Sequence, residues 1–91
     1  MEVIEKPQTR KKESLAPTYE VIVHNDDYNT FNHVANCLVS ICKHEFEQAI
    51  QCSHIIHNNG KCSVKRGDLD VAISIKNKLQ SSGLIASMEN V

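Results

Sequence analysis

The sequence predicts an α+β domain, a three-stranded antiparallel sheet packed against three helices in the order β-α-α-β-α-β. Three observations carry that expectation. Tyr19–His24, Lys61–Arg66 and Leu84–Glu89 alternate apolar and polar residues with the two-residue period of half-buried strands. Between them run longer segments whose apolar residues recur every three or four positions, as on a helix packed along one side. Turn-forming residues (Asn25-Asp26-Asp27, Asn59-Gly60, Gly67-Asp68 and Gly83) stand where one period gives way to the other.

Residues 1–18 hold both prolines, a basic cluster at Arg10-Lys11-Lys12 and little periodicity. They read as a flexible arm, with too little apolar surface to offset the entropy of ordering. Residues 19–91 then form the domain. In the first strand Tyr19, Val21 and Val23 share one face, and Glu20, Ile22 and His24 share the other. After the turn, Asn29 or Thr30 is placed to cap a helix, because either side chain accepts a free amide hydrogen there. Apolar residues at 31, 34, 35, 38, 41 and 42 give that helix its stripe, to about Lys43. A tight corner at Lys43-His44 leads to a second helix over 45–57, with Phe46, Ala49, Ile50, Ser53 and Ile56 along one side. Asn59-Gly60 supplies its left-handed stop. Cys62 and Val64 face one way on the second strand. Asp68 caps a third helix striped by Leu69, Ala72, Ile73 and Leu79, and Leu84, Ala86 and Met88 share a face of the last strand.

The chain has ten basic and eleven acidic residues and a formal charge of −1. That lacks the concentrated basic footprint of a nucleic-acid binder. No apolar run approaches the ~20 residues that span a bilayer, and the start lacks the apolar segment of a secretory signal. The expected compartment is therefore reducing. With no Trp and only Tyr19, Tyr28, Phe31 and Phe46 as aromatics, the core must be aliphatic, helped by cysteine.

Four Cys (37, 42, 52, 62) and five His (24, 33, 44, 54, 57) raise the alternative of a small metal-binding scaffold. The paired-ligand spacing of a structural zinc site is missing, so no metal ligands are assigned and the cysteines read as small buried hydrophobes. A second alternative is an enzyme using Asp27 and His57 as acid and base with Cys52 as nucleophile. Cys52 and His57 lie five apart on a helix and face differently, whereas such chemistry needs them within hydrogen-bond reach.

The first strand ends in Asn25-Asp26-Asp27-Tyr28, His57-Asn58-Asn59-Gly60-Lys61 follows the second helix, and the last strand closes on Met88-Glu89. In this order and at this spacing the residues resemble the ClpS family, adaptors that deliver N-end-rule (N-degron) substrates to Clp unfoldases. The likeness covers 19–91. It implies a non-enzymatic, monomeric adaptor without cofactors, working on no membrane or nucleic acid, in a bacterial cytoplasm or a plastid stroma. Its partners would be N-degron proteins and the N-terminal domain of a ClpC- or ClpA-like AAA+ unfoldase, which the arm helps engage.

The residues suit that role. A free α-amino group is a small cation with three N–H donors, so it needs converging acceptors. Asn25, Asp27 and a neutral ring nitrogen of His57 can supply them. By resemblance, a hydrophobic pocket for the substrate's first side chain (Leu, Phe, Tyr or Trp) is formed by Asp26, Asn29, Phe31, Val34, Ser53, Ile56 and Leu84. Many relatives carry Thr-Pro-Met where this chain has Asn29-Thr30-Phe31, and a Met where Ser53 stands. The unfoldase-docking face is matched by Asp70, with Lys76 beside the family's basic position, which is Ile75 here.

Overall fold

The computed structural model describes residues 17–91 and has the expected order: β1 (Tyr19–His24), α1 (Phe31–Ile41), α2 (Phe46–Asn59), β2 (Lys61–Gly67), α3 (Leu69–Ser81) and β3 (Ile85–Asn90). The arm read over 1–18 lies, apart from its last two residues, outside the described residues.

β1 is the central strand, antiparallel to both neighbours in the order β2-β1-β3. Its alternation sends Val21 and Val23 into the main core with Ala35, Leu38, Ala49, Ile56, Val64, Ala72, Leu79, Leu84 and Ala86. The other face of β1 is also largely covered. Ile22, flanked by Ser63 and Ser87, is 4% exposed. Glu20 there receives Arg66 across the strands at 2.8 Å, an exposed pair of small energetic weight.

β2 departs from plain alternation. Val21 pairs with Lys65 and Ile22 with Ser63, leaving Val64 as the extra residue of a bulge. Val64 and Lys65 therefore both turn towards the helices. There the Lys65 ammonium donates to the Cys42 carbonyl at 3.3 Å, and His44 Nε2 donates to the Val64 carbonyl at 2.6 Å. The bulge thus pins the α1–α2 corner, where Lys43 takes a left-handed φ of 63°.

Thr30 caps α1 by accepting from the His33 N–H, and Asp68 caps α3 by accepting from Val71. Two expected stripes need correction. Phe46 is 66% exposed, because as the first residue of α2 it precedes the point, at Ala49, where that helix meets the core. On α3 the buried arc is centred on Ala72, Ile75 and Leu79, which rotates Leu69 and Ile73 outward to flank it.

Candidate functional site

The turn after β1 is anchored to the ends of two helices, each closed by a left-handed glycine. Gly60, at φ 98°, ends α2 with its N–H on the Ile56 carbonyl. The reversal aims the Gly60 carbonyl at the turn, where it accepts from the Asn25 N–H at 2.8 Å. Asn25 is thereby held beside the last turn of α2, which carries His57. Gly83, at φ 94°, ends α3 with the paired Gly83-to-Gln80 and Leu84-to-Leu79 bonds of a Schellman motif. Its carbonyl accepts from Asn29 Nδ2 at 2.9 Å. His33 Nε2 adds a bond to the neighbouring Ser82 carbonyl, also at 2.9 Å.

Asp26 holds the turn together. Its Oδ1 accepts from the Tyr28 N–H at 2.8 Å and the Asn29 N–H at 2.7 Å, and its Oδ2 accepts from Asn29 Nδ2 at 2.8 Å. The two Asn29 bonds and that from Tyr28 hold the Asp26 carboxyl below the usual carboxylate range. Since Asn29 donates through Nδ2 to two oxygens, its own Oδ1 is the atom left to accept.

Seven residues from three chain segments line a small hollow open to solvent: Asn25, Asn29, Phe31, Val34, Ser53, Ile56 and His57. Ser53 and Ile56 are buried, Phe31 and Val34 are half-buried walls, and Asn25 and His57 stand exposed at the mouth. The Phe31 ring lies 4.8 Å from that of His54, tilted by 55°. All seven were among the candidates read from the sequence; His54, Gly60 and Gly83 were not given a part in the site. The Asn59-Gly60 and Gly83 signals marked helix ends, but nothing in one dimension says which carbonyl a distant turn will meet.

Three candidates lie outside the lining. Asp26 turns its carboxylate into its own loop, because three N–H donors converge there. Leu84 is 4% exposed and packs in the core, drawn under the sheet by the alternation it shares with Ala86. Asp27 is exposed between Asp26 and Tyr28, the latter 94% exposed. On α3, Asp70 lies in the exposed first turn, beside a shallow depression with Pro17, Tyr19, Asp68 and Leu69. Lys76 is half-buried and, six residues on, stands about 120° round the helix from Asp70.

Burial pushes the Cys42 thiol up to about 11, the Cys62 thiol to about 11, and Cys37 upward as well. Thiols held protonated at neutral pH are poor nucleophiles and ligands. Among the described residues no three His, Cys, Asp or Glu side chains converge on a point that could hold a metal, so the scaffold alternative finds no support. No helix among them is long and apolar enough to cross a membrane.

A family model described as "ATP-dependent Clp protease adaptor protein ClpS" matches residues 14–87. The chain belongs to the ClpS family. It is 34% identical over 90 residues to the ClpS adapter of Synechococcus elongatus, an alignment covering 98% of this chain and 95% of that one. The ClpS adapter of Nostoc sp. is 39% identical over 69 residues, covering 75% of this chain and 71% of the relative. Among solved structures, "Agrobacterium tumefaciens ClpS2 bound to L-phenylalaninamide" matches with a TM-score of 0.72 at 19% identity, over 84% of this chain and 99% of that one. That similarity shows the ClpS fold. The family is one of adaptors of the ATP-dependent Clp protease, not of proteases.

Proposed function

We propose that this ClpS protein captures N-degron substrates by their free α-amine and bulky hydrophobic first side chain. It then presents them to the N-terminal domain of a ClpC- or ClpA-like unfoldase. The observation that carries the reading is the single hollow with polar acceptors at its mouth and apolar walls within. At the mouth, the Asn25 side-chain oxygen and a neutral His57 ring nitrogen accept from an ammonium group, with the Asp27 carboxylate reaching it directly or through water. Hydrogen bonds to charged groups contribute about 1.5–3 kcal/mol each, so two or three of them orient the chain start. Phe31, Val34 and Ile56 receive the side chain, whose burial adds roughly 1.5–3 kcal/mol. After the entropic cost of association, micromolar binding follows, at about −8.2 kcal/mol. The ligand of the Agrobacterium ClpS2, L-phenylalaninamide, joins these two features, a free amine and an aromatic side chain.

For docking, Asp70 stands exposed on α3 with the exposed Leu69 beside it, while Lys76 contributes from an adjoining face. The protein acts as a monomer, in a bacterial cytoplasm or plastid stroma. A fluorescence-anisotropy titration tests the binding role. A labelled peptide beginning with Phe or Leu binds, and its N-acetylated form does not; equal binding of the two would dismiss the amine site.

A further inference from the structure

Inside its mouth the hollow is apolar except at Asn29 and Ser53. Ser53 faces it from α2, one turn before His57, and is 2% exposed. Its hydroxyl is buried without a hydrogen-bond partner among the described residues. A serine inside a helix commonly settles its hydroxyl on a carbonyl one turn back, and this one does not. Buried hydroxyls are nearly always paired, so an open one beside a cavity marks a place where another polar atom belongs. The walls do not supply it. Phe31, Val34 and Ile56 are apolar, both Asn29 amide hydrogens are engaged by Asp26 and Gly83, and the free Asn29 Oδ1 makes no bond to Ser53.

We infer that Ser53 is the specificity-determining residue at the inner end of the hollow, selecting substrates whose first side chain ends in a hydroxyl, tyrosine over phenylalanine. The inference rests on the reading that the hollow takes a first side chain with its amine at the His57 end. From His57 to Ser53 the helix rises about 6 Å, close to the reach of a para-hydroxyphenyl group, whereas leucine ends well short. A tyrosine phenol both donates and accepts, so it pairs with the Ser53 hydroxyl in either sense. Phenylalanine would leave that hydroxyl as unpaired as before. A site with a buried polar group waiting for a hydroxyl penalises the analogue lacking it.

The test is competition among three peptides identical after their first residue, beginning with Tyr, Phe or N-acetyl-Tyr, on the parent protein and on Ser53→Ala. Alanine is the strongest helix former, so α2 persists, and circular dichroism verifies this. On the parent, the Tyr peptide binds about ten-fold tighter than the Phe peptide, the size expected for one hydrogen bond. On Ser53→Ala that ratio falls to about one to two, chiefly by weaker binding of Tyr, whose phenol loses its partner. Equal binding of Tyr and Phe to the parent, as when water satisfies the hydroxyl, overturns this inference and leaves the adaptor reading standing. So does a ratio unchanged by Ser53→Ala. Equal binding of the acetylated peptide overturns the adaptor reading and this inference with it.

Discussion

Replacing Asp26 by alanine removes the three bonds that close the site turn, two to backbone N–H groups and one to Asn29 Nδ2. The carboxylate is half in solvent, so the helix-cap scale applies rather than the larger one for buried charges. Caps contribute about 0.5–2 kcal/mol, and the additional Asn29 bond places Asp26→Ala at about 1–2 kcal/mol of lost stability. For a domain of this size each kcal/mol moves the melting midpoint by about 4–8 °C, giving a fall of roughly 5–15 °C. Asp26→Asn is the informative companion. It keeps an oxygen for the two backbone donors but turns its own amide hydrogens against Asn29 Nδ2, so it falls between alanine and the parent. The acid dependence has a definite sign. The folded carboxyl titrates below its ordinary value, so its contribution is complete above the unfolded carboxylate pKa of about 3.9 and is lost as pH falls through the folded one. Calorimetric melts of parent and Asp26→Ala, run from neutrality into acid, should therefore converge at the low end. A midpoint for Asp26→Ala within about 1 °C of the parent at neutral pH would refute the assignment of Asp26 as the clasp of the turn.

Three other outcomes are expected. Lys43→Gly relieves a left-handed residue with a side chain at the α1–α2 corner, and urea unfolding should show about 1 kcal/mol of added stability. Gly60→Ala has room for its Cβ but not the conformation, so it should cost about 1–2 kcal/mol in the same assay. It should also weaken binding of a peptide starting with Phe by loosening the Asn25 N–H from the Gly60 carbonyl. Cys42, buried with its thiol raised to about 11, should stay unalkylated by iodoacetamide at neutral pH until denaturant is added, as read by mass spectrometry.

The parts of the fold legible in the sequence were those governed by neighbours along the chain. Thr30 and Asp68 cap helices because each is a short acceptor just before an apolar period, and Gly60 and Gly83 end helices because they alone adopt the left-handed turn cheaply. β1 was legible because a central strand shows its alternation over its whole length. What escaped depends on the third dimension. Periodicity put Phe46 and Ile73 on stripes but could not say where each helix leaves the core. Asp26 and Asp27 are chemically identical neighbours, and only the curl of the backbone decides which carboxylate meets three N–H donors. The bulge at Val64 is likewise silent in the sequence, since both Val64 and Lys65 fit an ordinary alternating strand.

Substrate capture depends on one hollow receiving both an amine and the side chain next to it. The most direct measurement is an amide-resolved NMR titration of the labelled protein with a peptide beginning with Phe, and then with its N-acetyl twin. The free-amine peptide should shift the signals of Asn25, Asn29, Phe31, Ser53, Ile56 and His57 and leave the exposed flank of α3 unmoved, while the acetylated peptide should move none of them. Shifts gathered on α3, or equal shifts from both peptides, would contradict it.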